Sequence, residues 1–203
     1  MPATIFVCSK FARVPAGAKN IDTTSKGGTW SGLSPFIVGP CFLYEGALPA
    51  TEDMGMNLEN IWQYGKLYKT HADKDGNPTD AYWEWARNGW ADFQPHRYPM
   101  GKGSRPLCSL WNGQRLSYIQ ARKAIYVPLY AEAVQRTEAF KELKKLYETE
   151  KAIYLRDYDG YDRRVLKMSL SDVLNHERKK CGHAFVLEML LTSDEALKQC
   201  EMR

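Results

Sequence analysis

The most informative pattern lies in residues 57–69, where polar side chains recur at helical spacing among apolar ones. On an α-helix, at about 100° per residue, Glu59, Gln63 and Lys66 fall on one narrow polar stripe. The rest of the circumference is mostly apolar, which is typical of a buried helix. Because an unpaired buried charge is costly, we predict that the stripe pairs internally or faces a water-filled cleft. The alternative is that Glu59 and Lys66 form separate surface ion pairs.

Patterns along the rest of the chain predict an α+β fold that is mainly helical, with a few short strands near the N-terminus. Strands are predicted at residues 4–7, as one bent or two separate runs within 33–44, and at 152–155, after a long amphipathic helix. Helices are predicted at residues 57–69, 81–90, 114–126, 131–148, 169–177 and 182–191, with one or two helical turns at 194–200. We expect Asn57 to cap the first helix, Gly89 to stop the second, and Pro128 to kink or end the third.

Bulk composition is that of one globular domain. A chain of 203 residues is long enough for one sizeable core, and we find no convincing linker, so residues 1–203 are predicted to form a single domain. Apolar residues make up 44% and charged residues 26%, which excludes a disordered chain. The formal charge of +4 is compatible with a phosphorylated ligand or a nucleic acid and requires neither.

Cysteine usage and apolar run length favour a cytoplasmic protein. The five cysteines are widely spaced and include no Cys-x-x-Cys pair, which argues against a disulfide framework and a cysteine-based zinc site. No apolar run approaches about 18 residues, and the first residues lack the regions of a signal peptide. We therefore predict reduced thiols, no membrane partner and a cytoplasmic location.

Residues 96–106 form a glycine-rich basic segment that includes Gly101, Lys102 and Arg105. It is not a Walker A motif, because Gly103 is followed by Ser-Arg-Pro rather than by Lys and Ser or Thr. Backbone N–H groups and basic side chains in such a loop can contact a phosphate group. The alternative is a solvated loop without a ligand.

An acidic turn carries Asp157, Asp159 and Asp162, which could supply a carboxylate or bond their own backbone. An EF-hand is excluded, because Met168 occupies the position that needs a bidentate Glu. The histidines are scattered without i, i+4 pairing, so we predict no metal and no cofactor. His183 lies at a predicted helix start, where it is either structural or a proton donor.

With these motifs in view, residues 31–191 resemble the NADAR family, which is named for a proposed link to NAD and ADP-ribose metabolism. In the best-matching motif the family has Glu, then Gln four residues on, then Lys three further, followed by an apolar residue. Here the motif reads Glu59, Gln63, Lys66 and Leu67. The resemblance implies one NADAR-like domain.

Further segments follow the family's order. Residues 34–36 are similar to its Ser-Asn-Phe entry, with Pro in place of Asn. Residues 100–107 and Trp111 resemble its Gly-Arg segment and the Trp that follows. Residues 157–162 and 181–183 stand where the family has an acidic turn and a Gly-rich segment, but the Trp of that turn is missing. The missing Trp implies a substrate different from the family's usual ones.

The resemblance implies an N-glycosidase that cleaves the C1′–N bond of ribosylamino-pyrimidine phosphates or removes ADP-ribose from guanine in nucleic acid. Cleavage gives the ribose oxocarbenium character, which the carboxylate of Glu59 would stabilise while it or a second carboxylate activates water. Lys66 would keep Glu59 ionised, bind a ribose hydroxyl or contact a phosphate. Asp157 and Asp159 are the candidates for the second carboxylate.

Substrate-binding roles follow from the same resemblance. Gln63 would position the ribose or the base, and Lys102 and Arg105 would hold the phosphate. Trp111 would stack on the base, unless it is an ordinary core tryptophan. The expected substrate-binding residues are Ser34, Phe36, Trp62, Gln63, Gly101, Lys102, Arg105, Trp111, Asp162 and His183.

Two other function classes stay open. A non-catalytic binder of ADP-ribose or a related nucleotide would use the same pocket. A nucleic-acid interaction protein would combine basic side chains with exposed tryptophans and would bind more weakly as salt rises. Its candidate residues are Lys102, Arg105, Arg115, Arg122 and Lys123. The expected partner is therefore a small nucleotide or an ADP-ribosylated nucleic acid.

Overall fold

A computed structural model describes residues 1–48 and 53–200 of the chain. The remaining residues of the predicted 1–203 domain, 49–52 and 201–203, lie outside the described residues. The described part has an α+β fold around one hydrophobic core, as the hydrophobic pattern predicted. It contains seven α-helices and eight short strands, which is more strands than the pattern predicted. None of its helices is long and apolar enough to span a membrane.

The strands form three small sheets. They are β1 (Thr4–Ser9), β2 (Lys19–Asp22), β3 (Cys41–Phe42), β4 (Met54–Gly55), β5 (Lys66–Leu67), β6 (Cys108–Trp111), β7 (Gln114–Leu116) and β8 (Ala152–Asp157). β8 lies between β1 and β2 and is parallel to both. β3 and β4 form an antiparallel pair, and β5, β6 and β7 form an antiparallel sheet in that order.

The helices pack around these sheets. They are α1 (Leu58–Tyr64), α2 (Asp80–Ala91), α3 (Tyr118–Ala121), α4 (Val127–Val134), α5 (Glu138–Thr149), α6 (Leu170–Asn175) and α7 (His183–Thr192). α7 is apolar and buried, and it packs on β1, β8 and α4. Alternate residues of β8, including Ile153 and Leu155, are buried, and the last inward position of the strand is Asp157. The parallel sheet therefore delivers a carboxylate to the edge where β8 ends.

The helix predicted over residues 57–69 is shorter than expected. Asn57 caps it as predicted, because its side chain accepts a hydrogen bond from the Asn60 backbone N–H. The helix ends at Tyr64, and Lys66 begins β5, which pairs with β6. Pairing with β6 therefore replaces the helical turns that the local pattern favoured at residues 65–69.

The prediction of one helix over residues 131–148 is wrong, because Thr137 divides this segment. The Thr137 hydroxyl accepts a hydrogen bond from Phe140 N–H, which caps the start of α5, and donates to the Val134 carbonyl at the end of α4. Side-chain hydrogen bonds of this kind satisfy backbone groups at the end of one helix and the start of the next. As predicted, a strand follows the amphipathic helix.

The helix predicted over residues 114–126 begins later. Gln114–Leu116 is β7, and the helical path starts at Tyr118, continues through a π-helical turn at Arg122–Tyr126 and passes Pro128 without stopping. Pro128 directly follows the π-helical turn, so the missing N–H of the proline falls where the helical hydrogen-bond pattern already changes.

Two other local expectations have different outcomes. The first apolar run of residues 33–44 starts at the end of a 3₁₀-helix (Gly28–Leu33) and continues as a turn, so Cys41–Phe42 is the strand in this region. α2 ends at Ala91, two residues after Gly89, so the helix stops near that glycine as predicted. A Cβ atom at Gly89 would overlap the ring of Tyr64, so this glycine lets α1 and α2 pack closely.

Candidate functional site

A cleft of about 480 Å³ lies where α1, the carboxyl end of β8 and the N-terminus of α7 meet. This volume is typical of a small-molecule binding site. The turn at Ser34 and Phe36 and the loop containing Gly101 form other parts of its wall, so these three predicted substrate-binding residues line the cleft. Trp62, Gln63 and His183 also line it.

The polar stripe predicted from sequence forms one hydrogen-bonded chain on this wall. Lys66 Nζ donates to Gln63 Oε1 at 2.7 Å, and Gln63 Nε2 donates to Glu59 Oε1 at 2.9 Å. Lys66 keeps this position although it belongs to β5, because the strand begins directly after the helix end. Glu59 is only 7% exposed yet lines the cleft, so its carboxylate is shielded by protein and still faces the cavity.

Burial shifts the proton affinities of both ends of this chain. Burial raises the pKa of Glu59, while the hydrogen bond from Gln63 and the charge of Lys66 oppose the shift. Burial lowers the pKa of Lys66 to about 8, and the charge of Glu59 opposes that shift. The pKa values of both groups are therefore nearer neutral pH than those of free side chains, which suits acid–base chemistry.

Aromatic rings form a second surface of the cleft beside the polar chain. The Trp62 ring lies below Lys66 Nζ, 4.9 Å from the ammonium nitrogen to the ring centre. Tyr126 and Tyr118 pack against Trp62 with ring centres at 5.3 and 6.1 Å. A flat base or sugar face can pack on such rings while its polar edge reaches the hydrogen-bonded chain.

Asp157 lies at the end of β8, on the part of the cleft wall formed with the N-terminus of α7. Its carboxylate accepts hydrogen bonds from the Asp159 and Ala184 backbone N–H groups and lies 3.2 Å from His183 Nδ1. Nε2 of His183 lies 2.9 Å from the Thr23 carbonyl oxygen, so both ring nitrogens have partners. These contacts fix Asp157 at the N-terminus of α7, where a negative charge is favourable. A catalytic role for Asp157 stays a prediction.

The other predicted catalytic carboxylate, Asp159, also lines the cleft. Lys180 Nζ donates to its Oδ1 at 2.7 Å, and Arg97 Nη2 lies 4.0 Å from the same oxygen. Sequence reasoning did not select Arg97 or Lys180. The sequence feature that could have identified them is the basic composition of the two segments that flank the cleft, residues 96–106 and 178–183.

Four predicted substrate-binding residues lie outside the cleft wall. The side chains of Lys102 and Arg105 are exposed beyond it, because the loop turns at Gly101 and Gly103, both of which have positive φ. Trp111 is a core residue, with its ring centre 5.0 Å from that of Tyr44. Asp162 accepts hydrogen bonds from the Arg164 and Val165 backbone N–H groups, so its role is to close a turn.

Two of the basic residues proposed for nucleic-acid binding donate to backbone carbonyls of the protein itself. Arg122 is buried, and its guanidinium donates to the backbone carbonyls of four residues, Val173, Leu174, His176 and Lys179. Arg115 donates to the Gly76 carbonyl on the surface. Arg122 is thus a structural residue that ties the π-helical turn to α6 and the segment after it.

Within residues 1–48 and 53–200, no group of three or more His, Cys, Asp or Glu side chains is arranged to hold a metal ion. The prediction that the reaction needs neither metal nor cofactor stays a prediction.

One family model matches most of the chain. It is described as a family of unknown function, DUF6939, and matches residues 7–173, which include α1, β8 and the acidic turn. Neither curated proteins nor solved structures give a match to the chain. The function must therefore be argued from the geometry and chemistry of the cleft.

Proposed function

The chain belongs to the DUF6939 family, and we propose that it is an N-glycosidase. Its substrate would be a ribosylated base, either ADP-ribosylated guanine or a ribosylamino-pyrimidine phosphate. We further propose that the resemblance of the Glu59, Gln63 and Lys66 motif to the NADAR family reflects shared chemistry. The partner is then a small nucleotide or an ADP-ribosylated nucleic acid.

One observation carries this proposal: the chain from Lys66 through Gln63 to Glu59 lies on the wall of a cleft large enough for a nucleoside. A shielded carboxylate facing a cavity is the group that a developing oxocarbenium ion requires. The Gln63 amide donates to that carboxylate and is itself held by the Lys66 ammonium, so the two side chains fix the orientation of the carboxylate. Such preorganisation is the usual source of electrostatic catalysis.

In the proposed reaction, the C1′–N bond breaks and a C1′–O bond to water forms. Glu59 stabilises positive charge on the ribose and takes one proton of the attacking water, and the departing nitrogen takes up a proton from solvent water in the cleft. Glu59 then returns its proton to solvent, so the net reaction consumes one water molecule and gives a ribose hydroxyl and an N–H. The raised pKa of Glu59 makes its carboxylate a better proton acceptor than an exposed one. Trp62 provides a face on which the base can stack.

Lys66 and Gln63 act through their positions next to Glu59. The ammonium of Lys66 offers a charged donor to a ribose hydroxyl, and the Gln63 amide links that donor to the carboxylate. This arrangement couples ribose binding to the orientation of Glu59. In the proposal Gln63 is therefore a positioning residue, whereas Lys66 both positions Glu59 through Gln63 and contacts the ribose.

The test compares wild-type protein with Glu59→Gln and with a matched control, Glu84→Gln. Glu84 is an exposed residue of α2 that does not line the cleft. Each protein is given ADP-ribosylated guanosine and a ribosylamino-pyrimidine phosphate, and the released guanosine or aminopyrimidine is measured by chromatography. We expect Glu59→Gln to lose about 100-fold or more in turnover, a usual effect for a general acid–base group. Equal turnover of the two variants would remove Glu59 from the mechanism.

A non-catalytic nucleotide binder would use the same cleft, and the same proteins separate the two functions. Calorimetry with ADP-ribose measures affinity, whereas the hydrolysis assay measures turnover. Affinity without turnover on either substrate would support the binder and contradict the glycosidase proposal.

A further inference from the structure

A second feature of the cleft lies at its rim, where two cations share one carboxylate. Lys180 Nζ and Arg97 Nη2 approach the same oxygen of Asp159, at 2.7 and 4.0 Å. Lys180 follows α6 in the chain and Arg97 lies at the start of the glycine-rich basic segment, residues 96–106, so the fold brings them together from distant segments. The three side chains form what we call the rim cluster: Arg97, Asp159 and Lys180.

The cations of the rim cluster are accessible to a ligand. The side chains of Arg97, Asp159 and Lys180 are 38%, 29% and 59% exposed, and all three line the cleft. The Arg97 guanidinium lies over the rings of Tyr98 and Tyr158, with its carbon 5.5 and 5.7 Å from the ring centres. These rings limit the positions of the guanidinium while leaving its edge free to bind.

Charge also favours an anion at this rim. Among the described residues, five Lys or Arg side chains line the cleft against three Asp or Glu side chains. Arg122 donates to backbone carbonyls, and Lys66 belongs to the hydrogen-bonded chain with Gln63 and Glu59. Because Asp159 carries one negative charge and faces two positive charges, the rim cluster keeps a net positive charge.

We propose that Arg97 and Lys180 bind a phosphate or diphosphate group of the substrate, and that Asp159 is a competing counterion rather than a catalytic group. Arg can hold a phosphate with two parallel N–H···O bonds, and Lys adds a point charge. A doubly charged phosphate replaces the single charge of Asp159 at both cations. Selection of phosphorylated over unphosphorylated ribosides follows from this exchange.

The rim cluster and the proposed catalytic group line the same cleft, so one ligand can contact both. Besides the larger effect of burial, the charge of Arg97 lowers the pKa of Glu59 and that of Asp159 raises it. An anion bound at the rim cluster would hold a linked ribose inside the cleft that Glu59 lines.

The assignment of the phosphate to the substrate rests on the proposed function, so its test uses a probe without a ribose. Inorganic pyrophosphate is titrated by calorimetry at low salt into wild type, Arg97→Gln, Lys180→Gln and Asp159→Asn. Arg178→Gln is the matched control, because Arg178 is an exposed cation two residues before Lys180 and does not line the cleft. Thermal unfolding of each variant checks that the fold is retained.

We expect Arg97→Gln and Lys180→Gln to weaken pyrophosphate binding about tenfold or more, as loss of a charge-assisted hydrogen bond does. Asp159→Asn should bind about threefold more tightly, because an exposed competing ion pair has been removed. Arg178→Gln should match the wild type. The inference is overturned if wild type does not bind pyrophosphate, if the two cation variants bind like Arg178→Gln, or if Asp159→Asn binds more weakly than wild type.

These outcomes are independent of the proposed function. Turnover that depends on Glu59 but not on Arg97 or Lys180 would remove the anion site and leave the glycosidase proposal standing. Pyrophosphate binding that follows the expected order in a protein without turnover would leave the anion site standing and remove the glycosidase proposal.

Discussion

The buried ammonium of Lys66 leads to a stability test that needs no substrate. Burial lowers its pKa from 10.5 to about 8. In the folded protein the charged form is therefore disfavoured, although Gln63 and Glu59 partly compensate. Replacing Lys66 by Met keeps a similar length and apolar stem but removes the charge.

The direction of the effect follows from proton linkage. The unfolded chain holds the Lys66 proton up to pH 10.5, whereas the folded chain loses it near pH 8. Between these values the unfolded state binds more protons, so the free energy of unfolding rises with pH. At about 1.4 kcal/mol per pKa unit, the rise from Lys66 alone is about 2 to 3 kcal/mol between pH 7 and pH 10.

The assay is urea unfolding of wild type, Lys66→Met and the control Lys102→Met at several pH values from 7 to 10. Lys102 is exposed outside the cleft, so its variant should keep the wild-type pH profile. We expect the difference in unfolding free energy between wild type and Lys66→Met to move by about 2 to 3 kcal/mol in favour of wild type. A difference that stays constant across this range would refute the buried-ammonium reasoning.

Two further expectations concern the packing that supports the cleft, and urea unfolding measures both. A Cβ atom at Gly182 would overlap Asp157 Oδ2, so Gly182→Ala should lower the free energy of unfolding by about 1 to 3 kcal/mol, and an unchanged value would contradict this packing. Arg163 forms a hydrogen-bonded ion pair with the buried carboxylate of Glu188, and Arg164 Nη2 lies 3.7 Å from the same carboxylate, so Arg163→Met should cost about 1 to 3 kcal/mol. The double variant with Glu188→Gln should recover part of that loss, and no recovery would argue against the buried charge of Glu188 as its cause.

Local patterns predicted those parts of the molecule that depend on neighbours in sequence. The cap at Asn57 and the proximity of Glu59, Gln63 and Lys66 follow from spacings of three and four residues. The same reasoning overestimated the length of that helix. Pairing of Lys66 with Ser109 in the neighbouring strand is a contact across more than forty residues, which local periodicity does not encode.

Residues brought together by the tertiary fold were harder to predict. Lys102 and Arg105 were reasonable phosphate ligands by type, yet backbone turns at the neighbouring glycines direct them away from the cleft. Arg97 lies on the same loop and faces Lys180, which follows it by more than eighty residues. The proposed anion site thus uses the same loop, but with residues other than those expected from the sequence.

The resemblance that suggested an N-glycosidase stays a prediction, as does the cytoplasmic location. The proposed chemistry uses Glu59, Gln63 and Lys66, which the helix motif identified. It also uses Arg97 and Lys180, which the motif did not identify. A functional assignment for this family should therefore be tested at Glu59 and at the rim cluster separately.

The most direct test of the central claim is a crystal structure of Glu59→Gln with ADP-ribosylated guanosine bound. We expect the side-chain carboxamide of residue 59 to lie about 3 to 3.5 Å from the anomeric carbon or from a water molecule aligned with it, as an attack geometry requires. We expect the base to lie against Trp62. A ribose bound with its anomeric carbon far from residue 59, or a ligand bound outside this cleft, would contradict the claim.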